Sequence, residues 1–391
     1  MNADRRARLL ELMRARGLEA LVATTPANVA YLTGLRSPSH AVFRGAEYYA
    51  VLAPRGIGLV IPFIDTAAVA ADDVACDVLA CYGRFFFEHG ESAGEVGRKV
   101  RDWTREPAPS PADGLARVLA ELGVAGGRIG LDEANCFPQT WQHLEQCLRG
   151  HPLVPAYQLL REARMVKERD EVAALERAAQ IAEAAIAAVC AMLRPGVTER
   201  EAVRAYETEV LRQGASPHIT VVLFSERSAL ADVPPSERAL RRGDVIRFDG
   251  GGIYGGYCSD MSRTAVLGEP SPKLARHYAA LRAGEEAAIA AMKPGLTAGQ
   301  IFDTAVRTVR ESGLPHYQRH HVGHGIGLEL YDPPTIVSGS DAVLEPGMVF
   351  CVETPYYELG WTGLQVEDTV EIMPDGARFL TRSSRELIVL A

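Results

Sequence analysis

The sequence predicts an α/β N-terminal domain followed by an α+β C-terminal domain that carries an internal pseudo-two-fold duplication. Two observations predict it. Over about the first 155 residues short apolar runs alternate with helical periodicity, the signature of an α/β sheet domain. Beyond a long helix, segment 192–218 is answered by segment 291–316, and one repeated unit of this size is a duplicated substructure.

Composition sets the outer bounds. A chain of 391 residues is long enough for two ordinary domains. Its 47% hydrophobic and 23% charged content belongs to a soluble globular protein. A net charge of −9, with no lysine/arginine run, argues against nucleic acid as partner. The opening MNADRRARLLELMRARGLEA is too charged for a signal-peptide core. It reads as an amphipathic helix with Leu9, Leu10 and Met13 inward. No apolar run approaches the ~20 residues that span a bilayer. Seven cysteines, an odd number without any CxxC pair, suit a reducing compartment. The expectation is a cytoplasmic protein with no membrane partner. Cys258 lies two before Asp260, with no neighbouring base to generate a thiolate, and reads as a small packing residue.

In the first domain ALVATT (20–25), EYYAVLAP (47–54), GLVIP (58–62) and RIGLDE (128–133) read as strands of a mixed sheet, and 138–148 as a helix. FRGAEYY (43–49) and GRFFFEHG (83–90) also read as core strands. The charged join REARMVKERDE leads into a long helix with Val172, Leu175, Ala179, Ala182, Ile186, Val189 and Leu193 on one face, stopped by Pro195 and Gly196. The expected domains are 1–158 and 159–391.

The echo is detailed. Both copies open Pro-Gly-x-Thr, with Thr198 and Thr297 as N-caps, and run through a helix to a glycine and a Pro-His pair. GDVIRFD, ending at Asp249, then corresponds to GMVFCVE, ending at Glu353. GYCSD, ending at Asp260, corresponds to GLQVE, ending at Glu367. In the first pair the acids stand eleven apart across Gly250, Gly251, Gly252, Gly255 and Gly256, which read as a hairpin turn. Taken alone, two such acids read as a pair of solvated hairpin side chains. Duplicated, they bring four carboxylates together, and burying these unpaired would raise their pKa values. Hard oxygen ligands in this number suit a pair of divalent metals. HHVGHGIGLELYDPP (320–334) offers a nitrogen ligand, and the flanking glycines favour His324 over His316, His320 or His321.

Asp249, Asp260, His324, Glu353 and Glu367, in this order and spacing, resemble the five ligands of the M24 metallopeptidase family. Its pita-bread fold is shared by methionine aminopeptidase, aminopeptidase P, prolidase and creatinase. The likeness is close over about 165–391, and TPANVAYLTGL (25–35) resembles an early segment of the creatinase/prolidase branch. The resemblance implies two divalent ions, Mn²⁺ first, with Co²⁺, Fe²⁺ or Zn²⁺ also compatible. Asp249 would bind one ion, Asp260 and Glu367 would span both, and His324 and Glu353 would complete the set. It further implies Glu353 as general base, His320 as a substrate-binding group, and a homodimer. In related dimers first domains cover a partner's pocket, an alternative role for 43–49 and 83–90.

Three positions depart from the peptidase pattern. Tyr331 stands where a histidine follows the metal histidine by seven, and Asp232 falls at or near a second histidine position. Gln365 replaces an arginine two before the last ligand. Tyr331 can donate to an oxyanion but is a poor base at neutral pH. Because all five ligands are present, the expected function is an Xaa-Pro dipeptidase or aminopeptidase acting on short peptides. The alternative is an enzyme cleaving a small non-peptide metabolite, as creatinase, ectoine hydrolase and a sulfoniopropionate lyase do. A binding protein that has lost catalysis is a third class, and relatives of that kind tend to lose ligands that are all present here.

Overall fold

The computed structural model describes every residue except Met1, Asn2, Arg44, Asp73, Ala75 and Glu91. The chain divides into two compact units, 1–163 and 164–391. The division falls inside the helix Tyr157–Met165, a few residues beyond the boundary read from sequence.

The first unit is built on six strands, β1 Leu18–Ala23, β2 Tyr49–Ala53, β3 Gly56–Pro62, β4 Val78–Tyr82, β5 Arg128–Leu131 and β6 Leu153–Pro155. They lie in the order β4-β3-β2-β1-β5-β6. The two inner pairings, β1–β2 and β2–β3, are antiparallel and the outer ones parallel. The sheet is mixed, as the sequence predicts. The first helix buries Leu9, Leu10 and Met13. The reading of core strands fails at 83–90, where the chain is an irregular loop. Phe86 is 89% exposed there, and Phe87 packs edge-on to Phe85 and beside Phe63. Three successive aromatics lack the apolar/polar alternation that fits a half-buried strand. At 43–49, of which Arg44 lies outside the described residues, only Tyr49 is in a strand, and Phe43 is exposed.

In the second unit the strands are β7 Ser216–Phe224, β8 Val245–Tyr254, β9 Tyr257–Cys258, β10 Met261–Leu267, β11 Gly323–Gly325 and β12 Asp332–Thr335. They continue with β13 Val349–Glu353, β14 Tyr356–Glu358, β15 Thr362–Leu364, β16 Glu367–Met373, β17 Gly376–Phe379 and β18 Ile388–Leu390. The main path runs β12-β11-β13-β16-β10-β8-β7. β10 and β16 meet at its centre through one register pair, Ser262 with Glu367. Each half then repeats outward, β10–β8–β7 on one side and β16–β13–β11 on the other.

Strand periodicity sorts the two faces. Ile246 and Phe248 of β8 pack with the helices Arg169–Met192 and Glu199–Arg212. Phe350 and Val352 of β13 pack with Pro272–Ala291 and Ala298–Glu311. The alternate residues, Asp249 and Glu353 among them, project from the opposite face. Beneath the seam, Arg263 pairs with buried Asp368 at 2.7 Å and donates to the carbonyls of Ser262, Glu367 and Ser384. No helix of the described residues is long and apolar enough to cross a membrane.

The acid-bearing hairpin is real, but its turn is tighter than the run of glycines suggests. Only Gly255 (φ 55°) and Gly256 (φ 84°) form it, in the left-handed region a two-residue hairpin demands. Gly250, Gly251 and Gly252 lie within β8. They are there for close approach: a Cβ on Gly251 would stand 1.8 Å from the Ser259 carbonyl oxygen.

Thr198 and Thr297 cap their helices through reciprocal capping boxes with Glu201 and Gln300. Thr198→Ala and Thr297→Ala should each cost about 1 kcal/mol. Because the caps sit on separate helices, the double variant should show the sum in denaturant unfolding. A double variant as stable as the wild type would remove the caps from the energetics of the repeat.

Candidate metal centre

The centre lies where both halves present their acids. Asp249 sits mid-strand in β8, Asp260 immediately before β10, Glu353 at the end of β13, and Glu367 at the start of β16. Register places Asp249 opposite Ser262, Ser262 opposite Glu367, and Glu367 opposite Glu353. One row of cross-strand neighbours therefore carries three of the four acids. Carboxylate oxygens of Asp249, Asp260 and Glu367 lie within 4.8 Å of one another. The Gln365 amide nitrogen is 3.1 Å from Glu353 Oε2 and 3.5 Å from Glu367 Oε2. His324 Nδ1 faces the Gly325 carbonyl at 3.0 Å, leaving Nε2 turned inward, 3.6 Å from Asp260 Oδ2. All five residues predicted as ligands converge.

The electrostatics are those of a crowded acid cluster. Burial raises Asp249 to about 7, with Arg247 opposing and Asp260 and Glu353 adding to the rise. Burial, then Asp260, Glu353 and Asp249, hold Glu367 well above the usual carboxylate range. Glu353 behaves differently. Burial pushes it upward, but His321, Arg319 and His324 outweigh that and keep it below the usual value. Two acids held back from ionising, beside an inward imidazole, form a donor set of hard oxygens and one nitrogen. That set fits divalent cations, whose charge removes the repulsion.

A cavity of about 290 Å³ opens above the acids, walled by Asp232, Arg319, His320, His321, Tyr331 and Tyr357 among others. Tyr331 is half-exposed and stacks on the His324 ring, centroids 3.7 Å apart and planes 20° from parallel. Burial and the surrounding acids push its phenol upward. His320 and Asp232 are exposed on the same wall. Cys258 packs in a small apolar cluster, and burial pushes its thiol up to about 12, as a packing role predicts.

Four neighbours escape the sequence reading. His321 is buried, with Nε2 2.6 Å from Glu353 Oε1. It precedes His324 in irregular chain, where no periodicity marks a face. Arg319 reaches within 4.0 Å of Glu353 from the same segment. Arg247 bonds Asp249 at 2.7 Å, and Cys351 lies within 4.8 Å of ligating atoms of His324 and Glu367. The last two were readable, since each stands two residues before a predicted ligand on a strand and so shares its face. Arg247 also holds the carbonyl of Ala231, a non-glycine residue at φ 56°, a strained geometry in the cavity wall.

Residues 173–374 match the profile of metallopeptidase family M24, and residues 5–166 that of the Creatinase/Prolidase N-terminal domain. The chain belongs to family M24. This M24 chain is therefore a metallohydrolase with a creatinase-type first domain and a pita-bread second domain. It is 33% identical over 377 residues to the "Probable dipeptidase PepE" of Mycobacterium tuberculosis, covering 96% of this chain and 92% of that protein. It is 34% identical over 232 residues to the Xaa-Pro dipeptidase of Pyrococcus furiosus, covering 59% of this chain and 67% of that one. Among solved structures, the Xaa-Pro dipeptidase from Bacillus anthracis superposes with a TM-score of 0.82 at 26% identity, over 99% of each chain.

The close approach at Gly251 makes the M24 site testable without touching a ligand. Gly251→Ala must shift the backbone where β8 meets Ser259, one residue before Asp260. Overpacking of this kind costs about 1–3 kcal/mol. The expected outcome is a lower unfolding midpoint together with weaker Mn²⁺ binding. Unchanged values for both would show that the Ser259–Asp260 segment yields freely.

Proposed function

We propose that this chain is a two-metal Xaa-Pro dipeptidase or aminopeptidase-like peptidase, with Asp249, Asp260, His324, Glu353 and Glu367 holding a pair of divalent ions, Mn²⁺ foremost. The observation that carries it is the convergence of Asp249, Asp260 and Glu367 oxygens within 4.8 Å, beside the inward face of His324. The Xaa-Pro dipeptidase names of its relatives support the substrate class. Seven free cysteines suit a reducing cytoplasm. The homodimer is an expectation of the family resemblance alone.

When bound, such ions supply Lewis acidity and a lowered pKa for water at the site. The chain's own residues then have distinct tasks. Glu353, kept ionised by His321 and Arg319, accepts the proton of the attacking water, and an anionic carboxylate is the form that can. His321, 2.6 Å from Glu353 Oε1, steadies that carboxylate. His320 and Arg319, on the cavity wall, are placed to contact the substrate. Tyr331 donates its phenolic hydrogen to the developing oxyanion, since a phenol held well above its usual pKa stays protonated.

A second reading, cleavage of a small non-peptide metabolite, has one observation in its favour. A cavity of about 290 Å³ lies at the low end for ligand sites, ~300–1,000 Å³. A panel of Xaa-Pro dipeptides assayed with Mn²⁺ decides between them. Under the first reading the wild type hydrolyses the panel and holds close to two metal ions per chain by elemental analysis. Asp260→Ala should lose at least one ion and nearly all activity. Full metal loading with no turnover of any dipeptide would leave the metabolite reading standing.

Tyr331→Phe should lower kcat by ~10²–10³, the usual cost of one oxyanion donor, with metal content intact. Tyr331→His should retain or raise Xaa-Pro turnover. Wild-type kinetics in the phenylalanine variant would reduce Tyr331 to a wall of the pocket.

A further inference from the structure

We propose that Arg247 is a positioning residue which, through the side-chain amide of Gln365, sets the placement of the acids on both halves of the centre. The inference rests on the two-metal reading above.

Arg247 is fully buried and shares a strand face with Asp249. Its Nη1 lies 2.7 Å from Asp249 Oδ2 and 2.8 Å from Gln365 Oε1, while Nη2 donates to the carbonyl of Ala231. A guanidinium carries donors and no acceptor. Whatever part of Gln365 faces it must therefore be the amide oxygen. The Tyr357 hydroxyl donates to the same oxygen at 3.4 Å.

That choice fixes the other end. With its oxygen committed to Arg247, Gln365 turns its NH₂ group toward Glu353 at 3.1 Å and Glu367 at 3.5 Å. The reversed amide would set an oxygen against two carboxylates and NH₂ against a cation, losing the bonds on both sides. The backbone at Gln365 is not free to compensate. Thr264 Oγ1 accepts from its N–H at 3.0 Å and donates to its carbonyl at 2.9 Å.

One buried guanidinium thus holds Asp249 directly and fixes the group that holds Glu353 and Glu367. Asp249 comes from the first half of the duplication, and Glu353 and Glu367 from the second. Lysine in its place would keep a charge beside Asp249. Its single ammonium on a flexible stem cannot reproduce the planar fork that spans carboxylate and amide.

The test is a double-variant cycle on the full chain, read by calorimetric titration of Mn²⁺ and by metal content. Arg247→Met and Gln365→Met should each weaken Mn²⁺ binding about 10–100-fold, as loss of a group behind a ligand typically does. Because the two act through one another, the double variant should be little weaker than the weaker single. Arg247→Lys should also weaken binding, by at least about tenfold, and carries the test if the methionine variant does not fold. Wild-type affinity in Arg247→Lys, or losses that multiply in the double variant, would overturn the proposal. A wild-type chain that takes up no Mn²⁺ would instead overturn the two-metal reading, and this inference with it.

Discussion

Four carboxylates share one buried face of a curled sheet, and most other features of the second unit answer to that crowding. Left alone, such a cluster holds its protons to higher pH than ordinary carboxyl groups do, as Asp249 and Glu367 show. The protein counters with guanidinium groups at fixed places. Arg247 stands against Asp249 and Arg319 against Glu353, where the His321 imidazole also approaches. Asp249, Asp260 and Glu367 are the three whose oxygens approach within 4.8 Å. The remaining repulsion is concentrated where a divalent ion would relieve it.

Duplication makes this crowding affordable to fold. Each half supplies two acids, on its strands or, for Asp260, immediately before one, and each covers the reverse face of those strands with its own pair of helices. The burial that stabilises each half is therefore independent of the acids. Asymmetry enters only at the details. β11 brings His324 into the second half, whereas β7, its counterpart in the sheet order, carries His218, whose Nε2 faces the Ser259 carbonyl at 2.9 Å.

Much of this was legible in the chain. The long helix and the capped repeat helices follow from periodicity, which is a strong signal over several residues; the four acids follow from the duplication, and His324 from its flanking glycines and the family resemblance. The hairpin was legible as a hairpin but not its turn. Five glycines look alike in sequence, and only the structure separates the two that need positive φ from the three that sit against a neighbouring backbone. The aromatic loop at 83–90 misled for the opposite reason, since apolar residues in a row carry no period to say whether they are covered. His321 and Arg319 were unreadable because irregular chain assigns no face. Arg247 and Cys351 are legible in principle, each two residues before a ligand on the same strand face.

The seam between β10 and β16 has a mechanical consequence. A single backbone pair joins the halves there, because β10 soon leaves its neighbour and takes β18 as a parallel partner. The work of a ladder passes to the Arg263 guanidinium, which ties Ser262, Glu367, Asp368 and Ser384 together. Backbone ladders are stiff and come in fixed spacings, whereas a side-chain clasp can be lengthened, shortened or tilted by substitution. Together with the Thr264–Gln365 bonds, a side chain on the far side of the sheet from the acids therefore spans the gap across which the two halves' acids face each other. Evolution can adjust the aperture of such a centre without altering one atom that lines it.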